Sequence, residues 1–282
     1  MGAALDELIS ILDLEAIEVN IFRGVSPDEN RQRVFGGQVA GQALVAAART
    51  VTTGPVHSLH AYFLRPGDPA VPILYEVDRI RDGKSFATRR VVAIQHGEVI
   101  FNLQASFHRD EPGFDHQLPM PTGLPKPDSL PGFKERMAPY KHLLGEWYDQ
   151  PRPIDMRYVD GMAVERKQDR RPYQRVWMRT DGELPTDPVL HACIVTYASD
   201  MTLLDTTLLP HGTGWTDNTV QMASLDHAMW FHRDFRADKW LLYDQHTPTS
   251  SNGRGLAYGS IYTHDGHLAV SVMQEGLIRQ SQ

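Results

Sequence analysis

Asp200, Ser224 and Gln274 are the residues of this 282-residue chain best suited to act together chemically. Each stands in an apolar setting. Asp200 follows Ile194-Val195-Thr196-Tyr197-Ala198-Ser199, Ser224 precedes Leu225-Asp226-His227-Ala228-Met229-Trp230, and Gln274 follows Leu268-Ala269-Val270-Ser271-Val272-Met273. A carboxylate, a hydroxyl and a carboxamide near one another can hold a single water by three directed hydrogen bonds. The carboxylate accepts its proton, while the other two fix its lone pair towards an electrophile. Taken one at a time, each residue also has an ordinary structural role: a charge at a helix end, a hydroxyl at a strand end, an exposed amide. Spacing alone leaves both readings open.

Other chemistries find little support. No Gly-x-Ser-x-Gly elbow occurs; the nearest run, Gly83-Lys84-Ser85-Phe86-Ala87, lacks the second glycine. The same Gly83-Lys84-Ser85 imitates the end of a P-loop, but Asp78 occupies the required upstream glycine position, so a hairpin turn is expected there. No Gly-x-Gly-x-x-Gly follows a strand, which leaves a dinucleotide site unsupported. Among the thirteen histidines, His227 and His232 lie five apart in a strand and point to opposite faces, as do His57 and His60. With no His-Glu-x-x-His pair and no cysteine partner for Cys193, a metal site is not expected. Cys193 reads as a small buried apolar residue. A covalent route through Ser224 assisted by His227 is disfavoured, because side chains three apart on a strand diverge.

The elements that must position these residues fall into two similar sets. In the first, residues 14–25 read as a strand and 36–51 as a helix, followed by strands at 56–64, 71–79, 86–95 and 99–107. Turn signals separate them at Arg65-Pro66-Gly67-Asp68, Arg81-Asp82-Gly83 and His96-Gly97. In the second, 174–178 reads as a strand and 188–204 as a helix, followed by strands at 223–232, 240–246, 255–262 and 268–274. Small residues in the first helix (Gly37, Ala40, Gly41, Ala43, Ala46, Ala47) would let a sheet pack close to its backbone. The closing hairpins, turning at Gly97 and Gly266, correspond at a period of about 160–170 residues, which suggests an internal duplication. Prolines 112, 119, 121, 125, 127, 131 and 139 crowd between the sets, and rule out a long helix or central strand there. The expected organisation is an N-terminal unit (1–110), a proline-rich connection (111–150) and a C-terminal unit carrying the trio (151–282). The physical solution is an α+β fold in which each sheet curls around its helix and the two merge edge strands into one continuous sheet.

Composition sets outer limits. A net charge of -7 with a pI near 6.0 leaves no cation excess for binding nucleic acid. The single cysteine excludes an internal disulfide and points to a reducing compartment. The acidic, amphipathic stretch from Met1 to Asn20 lacks signal-peptide character, and no apolar run approaches the roughly 20 residues needed to span a bilayer. The closing Arg279-Gln280-Ser281-Gln282 matches no receptor-read address. Cytoplasm is the expected location.

Several ordered runs resemble the acyl-CoA thioesterase II (TesB-type) family. They include Phe35-Gly36-Gly37-Gln38-Val39-Ala40-Gly41-Gln42-Ala43, His60-Ala61-Tyr62-Phe63-Leu64-Arg65-Pro66-Gly67 and Arg81 to Arg90. In the second set they are Ala223 to Arg233, Trp240-Leu241-Leu242-Tyr243, Gly253-Arg254-Gly255, Tyr262 to Gly266 and Gln274-Glu275-Gly276. The resemblance runs from about Ile21 to Arg279 and spares the proline-rich connection. It implies a double hotdog fold and hydrolysis of fatty acyl-CoA to free acid and CoA, without metal or organic cofactor. It also implies a catalytic Asp, Thr or Ser, and Gln, falling here on Asp200, Ser224 and Gln274. The expected partner is an acyl-CoA substrate, and hotdog sheets suggest a homo-oligomer, a dimer or higher. Arg254 with Gly255, and further Arg65 and Lys84, are expected to contact CoA. Met229, with Met222, Trp230 and Phe231, is expected to line the acyl slot, although core packing accounts for these side chains equally well.

Overall fold

The computed structural model describes residues 2–27, 32–217 and 219–280. Alternation builds the strands. β4 (Ile73–Asp82) buries Ile73, Tyr75 and Val77 and turns the intervening residues to solvent, and β5 (Phe86–Gln95) buries Ala87, Val91 and Ala93 in the same rhythm. With β3 (Val56–Phe63) and β6 (Glu98–His108) they form the first antiparallel group. The expected single strand at 14–25 is instead a hairpin, β1 (Glu15–Glu18) and β2 (Ile21–Gly24), because Asn20 takes a left-handed φ of 64° and turns the chain.

The second group comprises β7 (Ile154–Tyr158), β8 (Tyr173–Thr180), β9 (Val220–Ser224), β10 (Asp226–Phe231), β11 (Leu241–Ser251), β12 (Arg254–Thr263) and β13 (Leu268–Gln280). β3 pairs antiparallel with β10, Asp226 opposite Tyr62 and Trp230 opposite Ser58, so one sheet runs β1-β2-β4-β5-β6-β3-β10-β13-β12-β11-β8-β7. This is the merged sheet of a double hotdog. The strand expected at 223–232 is interrupted at Leu225. There the backbone N–H donates to Glu275 O while the carbonyl accepts from Phe63 N, and β9 pairs separately with the far end of β13.

Among the helices, α1 (Ala3–Leu12), unexpected from the sequence, buries Leu5, Leu8, Ile11 and Leu12. α2 (Gly36–Ala48) is buried from Gly37 to Ala47 and packs on β2 to β6. α3 (Phe133–Met137) and α4 (Lys141–Leu144) are single turns inside the proline-rich stretch. α5 (Pro188–Ser199) stops short of the expected 204; Asp200 caps it, and a tighter 3₁₀ turn follows from Leu204 to His211. α2 and α5 lie antiparallel at close range. A Cβ on Gly37 would sit 2.4 Å from Tyr197 O, and one on Gly41 would sit 3.2 Å from Cys193 O. Gly37 and Gly41 therefore serve the neighbouring helix and not, as expected, the sheet. The two helix starts also differ. Asp187 caps α5 by accepting from Val189 N at 2.9 Å, whereas Phe35 at the head of α2 offers no side-chain cap.

The proline-rich crossing lies along the sheet. The Gln117 amide donates to Gly266 O and accepts from Leu268 N, Asp115 pairs with Arg233, and Trp177 Nε1 donates to Pro125 O. Met120, Leu124 and Leu130 cover a second, smaller apolar cluster of Trp177, Trp240, Leu242 and Tyr262. No helix among the described residues is long and apolar enough to cross a membrane.

Candidate active site

The end of α5, the end of β9 and the middle of β13 meet at one point. Ser224 Oγ donates to Asp200 Oδ1 at 3.1 Å, Gln274 Nε2 donates to the same oxygen at 2.5 Å, and Gln274 Nε2 lies 2.9 Å from Ser224 Oγ. Local structure explains the meeting. Ser224 faces Gly276 across the β9–β13 ladder, and Gln274, two residues before Gly276, projects to the same face. Gln274 is fully buried, and its Oε1 has no hydrogen-bond partner among the described residues.

The first half contributes its helix start. The Gly37 N–H donates to the Asp200 carboxylate, and a Cβ on Gly36 would fall 2.7 Å from Asp200 Oδ2 and 2.8 Å from the Phe63 ring. The uncapped first turn of α2 thus directs its backbone donors, and the positive end of its dipole, at a carboxylate from the other half. Burial nevertheless pushes the Asp200 carboxyl up to about 6; the bonds from Gln274, Ser224 and Gly37 oppose that rise by favouring the charged form. At neutral pH the group is ionised and more basic than an ordinary aspartate.

Asp200 and Ser224 open into a cleft of ≈480 Å³. Its apolar walls include Phe63, Leu64, Ile100, Phe101, Leu204 and Met222, while Arg33 and Arg65 bring positive charge. Arg65 is held by Glu98 at 2.9 Å, and Arg33 donates to Met222 O. A slot with greasy walls, a cationic lining and one basic carboxylate can hold an apolar chain joined to an anionic group, with a hydrolysable bond over the carboxylate.

Of the other residues expected at the site, Arg65 and Met222 line this cleft, and Arg254, Gly255 and Met229 do not. Arg254 pairs with Glu275 at 3.0 Å on the β12–β13 ladder. Gly255 is packed where a Cβ would meet Thr207 at 2.6 Å, and Met229 is fully buried against Ser199. Alternation decides this: Met229 points into the core, and Arg254 lies at the strand start. Lys84 is an exposed turn residue, Trp230 packs edge-on against His60, and Phe231 stacks on Phe235. His227 bonds to Ser199 Oγ at 2.8 Å, away from Ser224, and burial pushes it down to about 4. Cys193 is wholly buried, and burial pushes its thiol up.

Sequence reasoning missed the backbone donors of α2, Arg33, and a second acid in the cleft, Asp205. It also missed a buried polar cluster behind the site. Gln174 Nε2 donates to Thr202 O, Thr206 Oγ1 and Gln245 Oε1, and Gln245 Nε2 donates to Thr202 Oγ1. This cluster ties the chain just after Asp200 to β8 and β11.

Comparison with known proteins fits this geometry. The profile described as "Acyl-CoA thioesterase" matches residues 155–277, and "Acyl-CoA thioesterase N-terminal domain" matches 26–108. The chain is 42% identical to the human acyl-coenzyme A thioesterase 8, covering 96% of this chain and 88% of that protein. It is 38% identical to acyl-CoA thioesterase 2 of Haemophilus influenzae over the full length of both. The crystal structure of acyl-CoA thioesterase II TesB2 from Mycobacterium marinum superimposes with a TM-score of 0.80 at 45% identity, covering 98% of each chain. Fold and relatives together define a hotdog enzyme that hydrolyses acyl thioesters. Within that class, the chain belongs to the acyl-CoA thioesterase II (TesB-type) family.

Proposed function

We propose that this thioesterase hydrolyses acyl-CoA by direct attack of a water that Asp200 activates and Ser224 and Gln274 orient. The convergence of the hydroxyl and the carboxamide on Asp200 Oδ1 carries this reading. Asp200 removes a proton as the water adds to the thioester carbonyl. Gln274 Oε1, unengaged among the described residues, accepts the water's second hydrogen. At the start of α2, the backbone N–H of Gly36, which lines the cleft, is the donor offered to the oxyanion. The acyl chain lies along Phe63, Phe101 and Leu204, and Arg33 and Arg65 meet the phosphates of CoA. Residues 1–110 and 151–282 act as two hotdog units joined by 111–150, the second unit carrying the trio.

General-base assistance contributes about 10²–10⁴-fold in rate. Asp200→Asn is expected to lose that much turnover in a free-thiol release assay while still binding acyl-CoA. Near-normal hydrolysis by this variant would remove Asp200 from the role. The bond from Ser224 Oγ to Asp200 favours one competing reading, in which Asp200 activates Ser224 itself as the nucleophile. Rapid-quench mass spectrometry with a slow substrate separates the two: direct attack leaves Ser224 unmodified, and the covalent route leaves a stoichiometric acyl-serine.

A further inference from the structure

Asp205 lines the same cleft as Asp200, one turn further along the chain. Its carboxyl has no hydrogen-bond or ion-pair partner among the described residues, whereas Asp200 accepts from three donors. The position is fixed. Thr202 and Thr206 on either side are held by Gln174 and Gln245, and Leu204 packs into the space left by Gly276, where a Cβ would lie 2.2 Å from Leu204 Cδ1. The charged group acting on Asp205 is Asp200, and Asp205 in turn acts on the phenol of Tyr158. An acid that lacks protein donors and sits beside a like charge holds its proton to a higher pH than usual.

The reaction has a use for that proton. When the carbon–sulfur bond breaks, the sulfur leaves with the electron pair. Among the described residues, the titratable side chains lining the cleft are Asp200, Asp205, Arg33 and Arg65. Asp200 is engaged with the water, and a guanidinium does not give up its proton near neutrality.

We propose that Asp205 is the general acid of this enzyme, passing its carboxyl proton to the departing CoA sulfur. The inference rests on Asp200 serving as base. Water adds to the carbonyl and loses a proton to Asp200; the tetrahedral intermediate collapses, the C–S bond breaks, and the sulfur takes the Asp205 proton to leave as thiol. The product carboxylic acid, the stronger acid, then returns a proton to Asp205, and Asp200 releases its own to solvent. The sum is thioester plus water giving carboxylate, thiol and one proton. Burial first, and the charge on Asp200 second, raise the Asp205 carboxyl to about 7, below the roughly 8.5 expected for an alkyl thiol, so the transfer runs downhill. Two carboxyls in one cleft with different surroundings form the usual arrangement for splitting base and acid roles.

The test compares one acyl group carried on CoA and on 4-nitrothiophenol, whose thiolate leaves without a proton. Asp205→Asn in the full chain is expected to lower kcat on acyl-CoA about 10- to 100-fold, at the lower end of acid–base effects, and to leave the aryl thioester within about twofold. Asp205→Glu, which keeps the acid, is expected to retain most of the acyl-CoA rate. An equal loss on both substrates, or none on acyl-CoA, would overturn the acid role. Asp200→Asn, run alongside, is expected to lose both substrates; retained hydrolysis there overturns the base and leaves the Asp205 comparison readable on its own.

Discussion

At the scale of single residues, the proposed site keeps two half-buried carboxyls in different company. Asp200 is ringed by donors and still rises to about 6, so turnover is expected to fall as the pH drops through that value and the base takes up a proton. The pH dependence of kcat/KM checks this, and a flat profile between pH 5 and 8 would contradict it. Asp205 also bears on stability. Its folded carboxyl titrates near 7 against about 3.9 in an unfolded chain, so the unfolded state binds fewer protons between those values. The cost is absent below about pH 4, grows as the pH rises, and is complete above 7. Asp205→Asn is therefore expected to stabilise the fold by about 2 kcal/mol at pH 8, allowing for partial exposure, and by nothing near pH 4. Thermal melts at the two pH values measure the difference, about 5 °C in Tm at pH 8.

At the scale of elements, the site depends on how closely two helices approach. Gly37→Ala brings a methyl within 2.4 Å of Tyr197 O, and separating the helices is expected to cost about 1–3 kcal/mol. The same shift draws the Gly37 N–H away from Asp200, so kcat should fall along with stability; a variant with normal stability and rate would show that the contact is slack. Behind the site, Gln245→Leu removes the acceptor shared by Gln174 Nε2 and Thr206 Oγ1 and the donor to the Thr202 hydroxyl. Urea unfolding is expected to register a loss of about 2 kcal/mol. The sequence revealed these elements unevenly. β3 to β6 and β10 to β13 announce themselves by alternation and by turns at Gly97 and Gly266, and α2 and α5 by their apolar runs. The hairpin at Asn20 and the break at Leu225 did not show, since each depends on one residue's backbone within an unbroken apolar pattern. Extending α5 to 204 hid the 3₁₀ turn and, with it, Asp205. The trio stands out through its motifs, but the Gly37 N–H could not, because a backbone donor leaves no trace in side-chain identity.

At the scale of the whole molecule, the two halves are held together by the β3–β10 ladder and the α2–α5 packing more than by the chain that links them. Phe114 in that link is fully exposed, so limited chymotrypsin cleavage there is expected to leave turnover intact and the two pieces co-eluting. Pieces that separate without unfolding would show that the strap, not the ladder, joins them. The uneven heads of the two central helices carry a last consequence. α5 is closed off by Asp187 from its own half, while α2 begins bare and is completed by Asp200 from the opposite half. The two halves thus divide the labour, one lending an unfinished terminus and the other the acid that finishes it. Neither half standing alone holds this centre; it exists only where the two meet.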